Sequence, residues 1–556
     1  MKKFYNRVVN HPKIILLIFS ILFIVCFVAK QFIAVNYDMN DYLPSDSAST
    51  IALDVMEEEY DGGIPNARVM IENVSIPEAL NYKKEIGSVD GVSDVTWLDD
   101  VADITEPLET MDTKTVETYY KDKNALLSIT IDEDKRIQAV KDIRDIIGDE
   151  NSMMGSAVST ATATTSTVSE ISKIAVIAII LMLVILILTT TSWAEPFIII
   201  VSLGIAVIIN AGSNLIFGEI SFVTNAAGNI LQLAVSLDYS VFLIQRFEEC
   251  RKEERDAKTA MVNALCMSTS SILSSGLTTV IGFLALCLMR FRIGPDLGLA
   301  LAKGIFISLI TVFVFMPVLV LYTYKLIDKT THRSFMPSFK IFGRIVSRVM
   351  IPLMCVFVVL IVPCYLASNA NDFYYGSSHI FGPETKLGCD IQKINSIFGE
   401  NDTYVLLVPK ESTATQIKLS DELKDLPQIS SIMSYVDMVG AEIPESYLDS
   451  QTLSKLNSDN YTRMVLSVKT DYEGEETFEL VKNIRNIAEK YYDGDWYLAG
   501  EGVSTYDLMN TVTSDMTKVN LLAIGAVFLV LLVTTKSIFL PIILVLAIET
   551  AIWINL

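Results

Sequence analysis

GSAVST at residues 155–160 and TTTSWAEP at residues 189–196 return 345 residues later as GEGVST at 500–505 and TTKSIFLP at 534–541. In the same gap-free register Lys173 aligns with Lys518 and Asn210 with Asn555, through two long apolar runs. The register predicts a duplicated membrane protein. Because the first copy continues well past Asn210 while the sequence stops at Leu556, it also predicts that the second copy is cut short.

Composition agrees once it is resolved along the chain. Apolar residues make up 51% and mean hydropathy is +0.43, yet the net charge is −22, and such a charge cannot sit in lipid. The two properties must be segregated. A membrane crossing needs roughly 17–25 mostly apolar residues, and such stretches fall at 14–33, 174–191, 196–217, 220–244, 272–289, 297–321, 349–367, 519–533 and 538–556. Residues 14–29 are read as a span and not a signal peptide, since no small-residue cleavage site follows. Residues 36–172 carry 10 basic against 29 acidic side chains and residues 369–517 carry 11 against 25, so everything outside them is net positive. The acidic blocks are predicted to be water-facing domains.

Lys and Arg beside the spans set the expected orientation. They gather before span one (Lys2, Lys3, Arg7, Lys13), after span four (Arg246, Arg251, Lys252, Arg255, Lys258) and between spans six and seven (Lys325, Lys329, Arg333, Lys340, Arg344, Arg348). That places these sites in the cytoplasm and both acidic blocks outside a cell membrane, with a pseudo-twofold along the membrane normal relating the halves. The expected domains are 1–35 (N-terminus and span one), 36–172 (first external block), 173–330 (spans two to six), 331–368 (linker and span seven), 369–517 (second external block) and 518–556 (span eight and a truncated span nine). Of the seven cysteines only Cys389 is external, so no intramolecular disulfide staples either block.

Each external block alternates strand-like and helix-like pieces. In the first, 67–72 and 92–98 read as strands around a helix at 76–88 with Ser75 as its N-cap, and 126–131 precedes a helix at 136–147. The second repeats this with strands at 404–408, 429–435, 464–468 and 496–499 and helices at 413–423 and 475–491. The fold class expected is therefore a polytopic α-helical membrane protein with two extracytoplasmic α+β, ferredoxin-like βαββαβ domains. It is a tandem repeat of six spans plus one domain, the second repeat incomplete.

Enzyme chemistry finds little support. His11, His332 and His379 are too scattered for a metal cluster or triad, and no G-x-x-x-x-G-K-[ST] phosphate loop is present. No cofactor is expected. Asp238, within NILQLAVSLDYSVFLIQR (residues 229–246), stands out. A carboxylate in a span costs at least about 2.5–3.5 kcal/mol on insertion scales, so it usually marks an ion or proton path; the plainer alternative is that it lies near the cytoplasmic end and reaches water. Asn225, Asn229, Gln232, Ser236 and Tyr239 recur on one helical face, with Asp238 well round from it. That stripe suits either a path or adhesion between helices. The run Ser268–Ser271, Ser274, Ser275, Gly276, Thr278, Thr279 and Gly282 is expected to pack helices closely. Glu549 is a second intramembrane carboxylate, Lys303 is expected to snorkel and Pro317 to kink span six.

The tract YDMNDYLPSDS (residues 37–47), the pair Asp238–Tyr239, and SSGLTTVIGFLAL followed by RFRIGPDLGLALAKG resemble the MMPL family of the resistance-nodulation-division superfamily. The resemblance implies a proton-driven exporter of lipids or other hydrophobic molecules. Asp238 and Tyr239 match the family's proton-relay pair, with Glu549, Asn229, Gln232 and Ser236 as accessory polar residues, and the external blocks would be porter domains. Ser236 stands where many members carry Gly. The family's partner Asp-Tyr pair would fall near position 583, 345 beyond Asp238 and outside this sequence. Implied partners are a lipid or hydrophobic small-molecule substrate, the membrane and protons, without nucleic acid; a homo-oligomer is left open. A Patched-like lipid sensor and an export accessory resembling SecD and SecF are the alternatives.

Overall fold

The structure is a computed structural model that describes residues 1–60, 65–111, 113–254, 256–333, 335, 340–368, 381–400, 402–410, 412–440, 453–454 and 456–555. Arg255 and His379 lie outside the described residues. The first half contains helices α1 (Pro12–Ala29) and α2 (Ala48–Glu59), then β1 (Ala67–Ile71), α3 (Ile76–Gly87), β2 (Val92–Thr96), β3 (Asn124–Ile131), α4 (Arg136–Ile147) and β4 (Ser152–Met154). Helices α5 (Ser156–Thr189), α6 (Ala194–Ser213), α7 (Phe222–Glu253), α8 (Ala257–Ala285), α9 (Ile293–Ile310) and α10 (Met316–Lys329) follow. The second half runs through α11 (Lys340–Ser368), α12 (Lys386–Phe398), β5 (Asp402–Pro409), α13 (Thr413–Lys424), β6 (Ile429–Met433) and β7 (Tyr461–Val468). It closes with α14 (Glu475–Tyr492), β8 (Tyr497–Ala499), α15 (Glu501–Thr535) and α16 (Phe539–Asn555).

The chain divides into two units, one formed by Met1–Tyr37, Ser169–Phe373 and Thr513–Leu556, the other by Asp38–Val168 and Tyr374–Val512. Among the described residues, seven helices are long and apolar enough to cross a membrane, and Lys173–Thr189 and Phe539–Asn555 are shorter apolar helices. The protein is a multi-pass membrane protein. Its core lies among α5 to α10, where Leu203, Tyr239, Leu265, Ile305 and Leu309 meet. Helix α1 packs on α6 so closely that a Cβ on Gly212 would sit 2.0 Å from the carbonyl oxygen of Cys26. Helices α11, α15 and α16 leave large apolar side chains uncovered among the described residues, as lipid-facing helices do.

Two spans gain detail here. The span expected at 272–289 falls within the longer helix α8, whose polar first half has Ser268 and Thr269 donating to the carbonyls of Ala264 and Leu265 (2.6 and 2.5 Å). Pro317 is preceded by a π-helical turn, Thr311–Phe315, between α9 and α10. Proline lacks the N–H that an α-helix would place there, and a widened turn accommodates the loss.

The second unit holds two antiparallel sheets, ordered β2-β3-β1-β4 and β6-β7-β5-β8, the strand order of a split β-α-β fold. Side chains alternate across a strand, so each sheet has two faces to cover. Val69, Ile71, Leu127 and Ile129 pack on Ala79 and Ile86 of α3 and on Ala139 and Ile143 of α4. The opposite face, Met70, Leu126 and Met154, is covered by Ile394 of α12, which belongs to the other half of the chain. The second sheet mirrors this: Tyr404, Leu406 and Val408 meet α13 and α14, while Val405 and Leu407 meet Met56 of α2 and Tyr60. Each half thus lends a helix to the other half's sheet.

Candidate functional site

Helix α7 starts where Ser221 caps it, its hydroxyl accepting from Thr224 N at 3.1 Å. Asp296 of α9 accepts from Ser221 N (2.8 Å) and Thr224 Oγ1 (2.7 Å), placing a carboxylate at the helix N-terminus, where the backbone dipole favours it.

From there a ladder of polar contacts descends the inner face of α7. Asn229 Nδ2 donates to the Asn225 carbonyl at 3.1 Å. Gln232, fully buried, donates to the Gly304 carbonyl (3.0 Å) and Ser308 Oγ (3.1 Å) and accepts from Asn210 Nδ2 (3.0 Å). Gly304 is required there, since a Cβ would stand 2.7 Å from Asn210 Nδ2. Ser236 and Tyr239 continue the face inward, both buried, and neither hydroxyl has a partner among the described residues.

Above the ladder is a cavity of about 150 Å³ lined by Lys30, Asn210, Asn214, Thr224, Asn225 and Asn229 among others. Lys303 does not reach out from the bundle as snorkelling would have it. Its ammonium donates to the carbonyl of Asn210 (3.2 Å), Ser213 Oγ (2.8 Å) and Asn214 Oδ1 (2.6 Å), capping the C-terminal end of α6.

Asp238 and Tyr239 part company. The phenol points into the core, while Asp238 lies on the outward stripe of α7 with Leu231, Ala234 and Gln245, all exposed. Glu549 sits half-buried on α16, with no hydrogen bond to Asp238 or Tyr239. The structure therefore joins Gln232 to Asn210, Gly304 and Ser308, lines Ser236 and Tyr239 below them, and leaves Asp238 and Glu549 apart. Sequence reasoning missed Asn210 and Ser308 as partners of Gln232; the one signal was that Asn210 recurs in the repeat as Asn555. Among the described residues no group of three or more His, Cys, Asp or Glu is placed to hold a metal ion.

An α-helical membrane bundle with a polar ladder in one span and a second unit of two small antiparallel sheets define a multi-pass membrane protein. The sequence matches the MMPL family over residues 41–349 and 389–555, and the chain belongs to that family. A membrane protein of Methanocaldococcus jannaschii is 29% identical over 117 residues, a stretch that covers 21% of this chain and 30% of that protein's length. The hedgehog release protein Disp of the water bear Hypsibius dujardini shares the fold, with a TM-score of 0.59 and 10% identity over 100% of this chain and 86% of that one.

Proposed function

We propose that the protein is a proton-motive-force-driven exporter of lipids or other hydrophobic molecules, with Asp238 and Tyr239 as its proton relay. In this reading the two sheet-bearing blocks are extracytoplasmic porter domains, and the end of the bundle rich in Lys and Arg is cytoplasmic.

One observation carries the proposal. Asp238 puts a carboxylate on the outward stripe of a membrane-spanning helix, where bare contact with lipid would cost several kcal/mol. Such a group is tolerated when further helices or water cover it, and its value then lies in changing charge. Protonation lets the stripe pack in an apolar setting and deprotonation forces it to repack, which converts a proton step into helix movement. The buried, unpartnered hydroxyls of Tyr239 and Ser236 face the other side of α7, so passing the proton between the two faces requires the helix to turn or repack.

The test is efflux of a fluorescent lipid from proteoliposomes under an imposed proton gradient. Asp238→Asn should abolish flux at normal protein level, and a protonophore should do the same to the unaltered protein. Flux that ignores both would refute proton drive; lipid binding with no flux at all would favour a sensor.

A further inference from the structure

A pair of carboxyl groups lies at the far end of the same bundle. Glu195 opens α6 and Glu248 lies near the end of α7. Counted along α6, Glu195 is about 28 Å from Asn214 at the cavity, at 1.5 Å per residue. Glu248 lies about 15 Å beyond Asp238 along α7 by the same rise.

Glu195 is only 1% exposed. Its Oε2 accepts from the backbone N of Thr191 at 3.2 Å, and Oε1 has no partner among the described residues. The hydroxyl of the same Thr191 donates to Glu248 Oε1 at 2.8 Å. Thr191 thus brings the two carboxyl groups together, one on its backbone N and the other on its hydroxyl, yet two carboxylates are both acceptors and cannot bond each other. What the pair lacks is a donor.

Among the described residues no basic side chain is hydrogen-bonded to either carboxyl group. Arg251 of α7 is committed to Asp328 of α10 through both terminal nitrogens, at 2.6 and 2.9 Å. Arg246 is paired with Glu249 at 2.7 Å. His332, beyond α10, donates its backbone N to the Thr191 carbonyl at 2.9 Å; its ring lies tilted beside Trp193, with Nδ1 2.9 Å from the Arg333 carbonyl and Nε2 buried with no partner among the described residues. Tyr324 of α10 lies beside Arg251. The surrounding hydroxyls are taken as well, Ser192 by Ile327 and Thr330 and Thr190 by Leu186.

We propose that Glu195 and Glu248 hold one shared hydrogen ion between them, forming a second proton station at the end of the bundle opposite the cavity. A single proton supplies the missing donor, leaves the pair with one negative charge, and turns an acceptor–acceptor clash into a strong O–H···O⁻ bond. Its role rests on the transport reading above: a proton that has passed Asp238 leaves the protein through this pair. The binding of the proton itself does not depend on that reading.

The test is infrared difference spectroscopy of the whole protein in lipid nanodiscs, titrated from acid to alkaline pH, with flux measured in parallel. At neutral pH the unaltered protein should show the carbonyl stretch of a protonated carboxylic acid that is lost in Glu195→Gln, shifted in Glu248→Gln and retained in Asp238→Asn. Glu195→Gln should slow gradient-driven flux about tenfold or more, the scale of losing one proton-transfer group, with lipid binding unchanged. A neutral-pH spectrum in which Glu195→Gln removes nothing overturns the proposal, and so does a band that appears only when sodium is withdrawn, because the pair would then hold a metal cation. If the band behaves as expected but Asp238→Asn transports normally, the station stands and the transport mechanism falls.

Discussion

Replacing Asp390 by Ala should loosen the helix that one half of the chain lends to the other half's sheet. Asp390 lies on α12, fully buried. Its carboxylate takes Arg144 of α4, Lys386 at 2.7 Å and the backbone N of Met153 in β4 at 3.3 Å. Removing one partner of a buried ion pair typically costs 3–5 kcal/mol, because the other charge is left stranded. Here the low end applies. The side chains of Arg144 and Lys386 are 22% and 45% exposed, and they keep bonds to the carbonyls of Asn151 (2.9 Å) and Asp149 (2.7 Å). The expected loss is about 3 kcal/mol, a fall in Tm of roughly 6–12 °C for a unit of this size. Hydrogen exchange supplies the local readout: the amides of α12 and β4 should lose protection while those of β5 and β7 change little. Lys393→Ala is the control, since its bridge to Glu72 at 2.9 Å is between groups 49% and 37% exposed and should be worth no more than about 0.5 kcal/mol. If Asp390→Ala cost less than about 1 kcal/mol with α12 still protected, the carboxylate would not be what holds the exchanged helix.

Two further perturbations probe other joints. Burial pushes Asp402, at the start of β5, up to about 6, against the pull of Arg68. The ordinary unfolded value is near 3.9, so between these values the folded state binds more protons. The group's contribution is fully present below about pH 4 and lost as pH rises through about 6, an effect of up to about 3 kcal/mol. Asp402→Asn should flatten that part of the stability–pH curve measured by denaturant unfolding; identical slopes in the two proteins would contradict it. In the membrane unit, Gly212→Ala drives a methyl into the Cys26 backbone and should part α1 from α6 at about 1–3 kcal/mol, the usual cost of overpacking. The buried Cys26 thiol should then react about tenfold faster with a maleimide, followed by mass spectrometry, and an unchanged rate would mean the helices absorb the methyl.

The helices were legible because each needs a run of apolar residues, and that run is local. The same holds for β1, α3, β2, β3 and α4, whose alternating and helical periods survive in the bare sequence; Ser75 caps α3 with Glu78 returning to its N–H at 2.9 Å. What was illegible depends on partners far away. Helices α2 and α12 look like ordinary amphipathic segments, and nothing in them says that Met56 will meet Val405 or that Ile394 will meet Met70. Strand β4 was missed because three residues, Ser152–Met154, are too few to show a period. Lys303 misled for a related reason: a lysine near a span end suggests the interface, and only the fold shows three oxygens of α6 within its reach.

The repeat itself gains a physical meaning from the backbone. Gly155 and Gly500, which open the two copies, both have positive φ (+121° and +152°), and a Cβ would lie 2.4 Å from the Asn66 carbonyl in one and 2.5 Å from Tyr404 Cδ1 in the other. Only glycine fits. Thr189 and Thr534 then donate to the carbonyls four residues earlier at 2.9 Å in both copies, and Thr190 and Thr535 do so at 2.8 and 2.7 Å. These bonds satisfy the threonine hydroxyls within the helix, giving carbonyls near the ends of α5 and α15 a second donor where lipid offers the hydroxyl no other partner. So glycine and threonine are shared between the two segments at positions where the backbone sets the requirement. The copies differ where a charge is placed: Glu195 faces Leu540 in the alignment, and Gly204 faces Glu549. Neither acid belongs to the pattern the two segments share, so the carboxyl at Glu195 needs a reason of its own, and the proposed shared proton supplies one.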